Sequence, residues 1–170
     1  SQQITRLRKD GQLAEAWKVG LEAVKNNPDD IYIKGAFFWV CYAYLKKGQG
    51  SINLRVEEGN GDHAPNREEL KKINILLDHI ISLNIPPGGY EYRSLLLSFQ
   101  KNIEFIPKLV LLLVKYSDKL FEDEDKQPFE NQKGESPSLM LKFSRKVAKA
   151  WMANEEVQKE LSIDYICQLF

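Results

Sequence analysis

Between Gly11 and Asp30 the chain carries a stop, a helix-length run and a second stop, and that punctuation leaves few folds open. Gly11 accepts a positive φ without a Cβ clash, so a preceding helix can end there in a tight turn. Ala16, Gly20 and Ala23 recur at i, i+4 and i+7, which sets small residues on one face of the helix that follows. A neighbouring helix can approach closely along that face. Leu13, Trp17, Leu21 and Val24 add bulk to the buried side. Pro28 cannot continue the helix, and Asp29 or Asp30 can cap the next one. This grammar predicts a helix hairpin.

The same residues carry a family resemblance. Gly11, Leu13, Ala16, Ala23 and Pro28 fall on consensus positions of the tetratricopeptide (TPR) repeat, and the stretch resembles the second helix of such a hairpin with its flanks. Gly20 departs from the pattern, which has a larger residue there. The match covers about a sixth of the chain, one helix of a repeat of roughly 34 residues. The resemblance implies an all-α fold of antiparallel helix hairpins, stacked as a TPR-like α-solenoid. It also implies that partners bind on a face made by the first helix of each pair. Here that face falls to 31–47 and 90–101, with Lys34, Tyr42, Tyr90 and Arg93 as candidate partner-binding residues. The partner implied is a protein or peptide segment, which another domain of the parent chain could supply. The Lys, Asn and Arg set with which some TPR domains clamp a peptide carboxylate is not matched here. The tyrosines also have a plainer reading as core residues with surface hydroxyls.

Elsewhere the periodicity is helical. In 31–47, Ile33, Phe37, Val40, Cys41 and Tyr44 recur at helix spacing among further aromatics, which predicts a helix buried on most faces. The stretch 48–66 holds Gly48, Gly50, Gly59, Gly61 and Pro65 and reads as a long loop. Asn66 can cap a helix to Leu83, with Leu70, Ile73, Leu77, Ile80 and Ile81 as its stripe. Pro86-Pro87-Gly88-Gly89 forces a turn before a helix from near Tyr90. Further helices are expected over 102–121, 139–154 and 155–170, with a second long loop at 122–138. Pro107 is tolerated in a first turn, and Ser136 or Ser138 can cap the helix from Leu139. About eight helices in antiparallel pairs result.

At 170 residues this reads as a single helical-repeat-like domain over 1–170. Ser1 in place of an initiator Met and the apolar end 165–170 lead us to expect a domain excised from a longer, multidomain protein. Lysine plus arginine balance aspartate plus glutamate at 24 each, so no global charge selects nucleic acid, membrane or an acidic substrate. Cys41 and Cys167 lie far apart without a secretory leader, which points to reduced thiols and a cytoplasmic location. The apolar run 109–114 is far shorter than the ~20 residues of a membrane span.

Chemistry is sparse. His63 and His79 each stand beside an aspartate, but no His, Cys or acidic set has metal-ligand spacing, and no glycine-rich loop follows a strand. No nucleophile, base and orienting group converge, so no enzyme activity, cofactor or metal is expected. The patterned charge is Lys142, Arg145, Lys146 and Lys149, at i, i+3, i+4 and i+7. Its plain reading is the solvated face of an amphipathic helix. The alternative is a phosphate-contact stripe for RNA or DNA, which the neutral overall charge disfavours. The expected function is therefore a non-catalytic protein-interaction scaffold.

Overall fold

A computed structural model describes residues 1–122 and 138–169. Among them every regular element is helical, so the all-α expectation stands. The chain divides into two compact units, Ser1–Pro86 and Pro87–Phe170, where the sequence reads as one domain. The division falls inside the Pro86-Pro87-Gly88-Gly89 turn, whose prolines have no N–H to bond into a helix.

The first unit holds α1 (Gln2–Lys9), α2 (Leu13–Asn26), α3 (Ile31–Glu57) and α4 (Arg67–Leu83). α1 and α2 pack on each other and both pack on α3, which in turn packs on α4. Gly11 ends α1 as expected. Its φ is +78°, its N–H donates to the Arg8 carbonyl, and the Gln12 N–H reaches the Leu7 carbonyl. Those paired bonds are a Schellman motif, which satisfies carbonyls left over at the helix end. Asp30 caps α3, its carboxylate accepting from the Tyr32 and Ile33 N–H groups at 2.9 and 3.1 Å. Asp30→Ala should cost the first unit about 1 kcal/mol in denaturant unfolding, and Asp30→Asn much less. Equal loss in both variants would show that the hydrogen bonds are not what matters.

The loop expected over 48–66 is corrected in its first half. α3 continues to Glu57, carrying Gly48 and Gly50 inside it. Leu45, Gln49 and Ile52 are buried and continue the helical spacing, and that burial outweighs the glycines' poor propensity of ~1 kcal/mol each. Gly59 is the real stop, with φ +77° and a second Schellman motif: Gly59 N–H to Val56, Asn60 N–H to Arg55. Asn66 and Glu69 then form a reciprocal capping box at the start of α4. Ile73, Leu77, Ile80 and Leu83 of α4 are buried, while Ile81 is exposed.

The second unit holds α5 (Glu91–Ser98), a 3-10 turn (Ile103–Phe105), α6 (Pro107–Lys115), α7 (Ser117–Leu120), α8 (Leu139–Ala153), α9 (Glu155–Glu160) and α10 (Ile163–Gln168). The single helix expected over 102–121 is broken twice. Ile106, preceding Pro107, is held out of the helical region at φ −123°, ψ 81°, so α6 starts with Pro107 at its first position. Tyr116 leaves helical geometry and stacks on Tyr92, ring centroids 4.4 Å apart. The last expected helix, 155–170, is two short ones. Leu161 is extended, its carbonyl accepts from the Trp151 indole N–H at 2.9 Å, and Ser162 caps α10. Ser138 caps α8. Of the loop expected at 122–138, all but Glu122 and Ser138 lie outside the described residues, as does Phe170.

Candidate functional site

The first unit carries a groove of about 480 Å³ along α3 and α4. Buried Leu45 and Ile73 form its floor, and Leu76 and half-exposed Ile75 form an apolar lip. Lys47 and Lys72 line it as well, both exposed. Glu69 also lines it, but its charge is already matched. Its Oε1 accepts from Arg55 Nη2 at 2.7 Å and from the Asn66 N–H at 2.9 Å. Arg55 and Glu69 side chains are 24% and 18% exposed, so solvent screens this pair less than an open surface bridge. The uncompensated charge of the lining is therefore positive.

Sequence reasoning missed this groove because it ended α3 at Lys47. The signal that extends the helix is present in Leu45, Gln49, Ile52 and Val56, which repeat at i, i+4, i+7 and i+11. Gly48 and Ser51 face the groove from that overlooked segment.

The four candidate partner-binding residues are divided between the units. Lys34 and Tyr42 are half-buried on α3, and the Tyr42 ring packs against Trp39 and Phe38 at 5.2 and 6.3 Å. Tyr90 and Arg93 share a smaller pocket of about 210 Å³ in the second unit, with Tyr92, Tyr116 and Lys119. Tyr90 is 79% exposed. Arg93 is committed to its own fold, Nη1 donating to the Leu120 carbonyl at 3.1 Å. Burial, and then the hydrogen bond with Tyr116, raises the Tyr92 pKa, so this phenol stays protonated.

The basic stripe of α8 is partly engaged within the fold. Lys146 Nζ meets Glu104 Oε1 at 2.6 Å, and Lys149 Nζ lies 3.8 Å from the other oxygen of that carboxylate. Lys142 and Arg145 are exposed. His79 packs edge-on against Trp17, centroids 4.8 Å apart, and His63 is half-buried. Among the described residues no group of three or more His, Cys, Asp or Glu could hold a metal ion, and no helix is long and apolar enough to cross a membrane.

Cys41 is fully buried, and that burial pushes its thiol up to about 12 despite a smaller lowering by a backbone hydrogen bond. Thiolate is the reactive form, so alkylation near pH ~8 should modify exposed Cys167 and spare Cys41 until the first unit unfolds. Peptide mapping after brief alkylation checks this, and early labelling of Cys41 would contradict it.

Compared with protein-family models, with curated proteins and with solved structures, the chain matches none. The class its described residues define is an all-α chain of two compact helical units.

Proposed function

We propose that this chain is a non-catalytic protein-interaction scaffold built from TPR-like helical hairpins, serving a larger cytoplasmic protein. The observation that carries the reading is the α3–α4 groove, whose apolar floor and lip stand open beside two exposed lysines. Concave, mostly apolar surfaces with a few polar groups are where proteins seat ligands and peptide segments. The short turns at Gly11 and Pro28 and the packing of α1, α2 and α3 support the hairpin part of the proposal. The pairing of Lys146 and Lys149 with Glu104 lowers the charge open to phosphates and so favours the scaffold over a nucleic-acid module.

The test is selection of binders from a displayed peptide library against the whole chain, followed by calorimetry on the enriched peptides. Peptides with Kd of about 1–100 µM are expected, a range common to modest, transient interfaces. Labelled single- and double-stranded nucleic acids are titrated alongside. Tight, salt-sensitive nucleic-acid binding that is lost when Lys142, Arg145, Lys146 and Lys149 are all changed to Glu would overturn the scaffold.

A further inference from the structure

We propose that the α3–α4 groove takes an amphipathic α-helix whose apolar stripe is flanked by acidic residues. This rests on the scaffold reading and names the chemistry of the partner at that site.

The walls argue for a helix. Tyr44, Lys47, Gly48 and Ser51 of α3 stand at i, i+3, i+4 and i+7, and Glu69, Lys72, Ile73 and Leu76 of α4 repeat the same spacing. Each row runs about 10 Å, or two helical turns, and rows of this kind form the grooves into which a third helix sets its ridge. Gly48 leaves open space where a Cβ would stand, and Ser51 is small, so the α3 wall is low enough for close approach. An extended peptide has nothing to pair with. The groove is walled by helices, whose backbone groups are already bonded internally. Strand addition needs an open sheet edge, and the described residues contain no strand. A helix brings its own backbone bonds and needs none from these walls, which favours it as the occupant of this groove.

Charge selects the flanks. Lys47 and Lys72 are exposed, and the Glu69 carboxylate is taken by Arg55 and the Asn66 N–H. Carboxylates beside the partner's apolar stripe would meet both lysines, while a basic partner would be repelled. Complementarity of this kind acts on encounter rate and on rejection of wrong partners more than on affinity. The apolar contact itself comes from Leu45, Ile73, Ile75 and Leu76.

The experiment uses the whole chain and a stapled, fluorescein-labelled helix of about 15 residues, since shorter free helices are marginal in water. The acidic probe has leucines at i, i+3, i+4 and i+7 flanked by glutamates. A basic probe replaces every glutamate with lysine, and a third replaces the leucines with alanine. Anisotropy should show saturable binding of the acidic probe alone. Lys47→Glu combined with Lys72→Glu should weaken it about tenfold or more, the sum of two lost attractions and two new repulsions. The variant's melting temperature checks that it remains folded. Ile75→Asp, at an exposed position, gives a second variant that should also weaken binding. Amide chemical-shift changes should centre on 44–51 and 69–76. The inference fails if the basic probe binds as well as the acidic one, or if neither variant matters. It also fails if the acidic probe shows no binding at about 1 mM. If it fails while library-selected peptides bind elsewhere, the scaffold reading survives. If no peptide binds at all, both fall.

Discussion

Gly20→Ala should destabilise the first unit by about 1–3 kcal/mol, whereas Gly50→Ala should stabilise it by up to about 1 kcal/mol. Both glycines sit inside helices, so intrinsic propensity gives the two changes the same favourable sign. Space separates them. A Cβ on Gly20 would fall 2.5 Å from Cδ2 of Phe37, whose ring is almost fully buried and also packs on Trp17 at 5.1 Å. The ring cannot turn away without disturbing Trp17 and, through it, His79. A Cβ on Gly50 would meet nothing within 4 Å, so that change removes only backbone freedom from the unfolded chain. Thermal and urea unfolding of the two variants provide the measurement. A stabilised Gly20→Ala would mean that α2 and α3 are not held at this distance, and would remove the packing account of the first hairpin.

Gly20 is the position at which the sequence departs from the TPR pattern that its neighbours resemble. Where the family has a larger residue, this chain has Gly20, and the Phe37 ring from α3 fills the space above it. A sequence shows the missing side chain but not the neighbour that replaces it. Local signals were legible wherever their chemistry is local. Gly11 ends α1, Asp30 caps α3 and Asn66 caps α4 through bonds to residues within about one turn of helix. Signals that depend on distant packing were misread. Gly48 and Gly50 look like breakers, yet the buried contacts of Gln49 and Ile52 keep them helical. Over 102–121 the first-turn place of Pro107 is legible and α6 has it, whereas the break at Tyr116 goes with its ring stacking on Tyr92, a contact the local sequence does not show. For the candidate site the cost was direct. With α3 ended at Lys47, the wall that carries Gly48 and Ser51 is absent, and Lys34, Tyr42, Tyr90 and Arg93 stand out in its place.

Arg55→Ala should cost the first unit about 2–3 kcal/mol, more than any cap in it. The guanidinium gathers the whole turn between α3 and α4. Nη1 donates to the Asn60 and Asp62 carbonyls at 3.4 and 3.2 Å, and Nη2 donates to the Ala64 carbonyl at 3.0 Å and to Glu69 at 2.7 Å. Gly61 leaves room for this, since a Cβ there would stand 3.0 Å from Nη1. Truncation strands carbonyls and leaves the Glu69 carboxylate with only the Asn66 N–H in its capping box. Arg55→Lys should restore only part of the loss, because an ammonium cannot fork to acceptors on two sides. Hydrogen exchange distinguishes this hub from a simple surface pair. Amides at 59–64 and in the first turn of α4 should lose protection in Arg55→Ala at denaturant concentrations where α2 is still protected. Glu69→Gln should couple to Arg55→Ala in a double-mutant cycle, since the two side chains touch. Additive losses, or an Arg55→Lys variant as stable as the parent, would reduce Arg55 to an ordinary partly exposed ion pair.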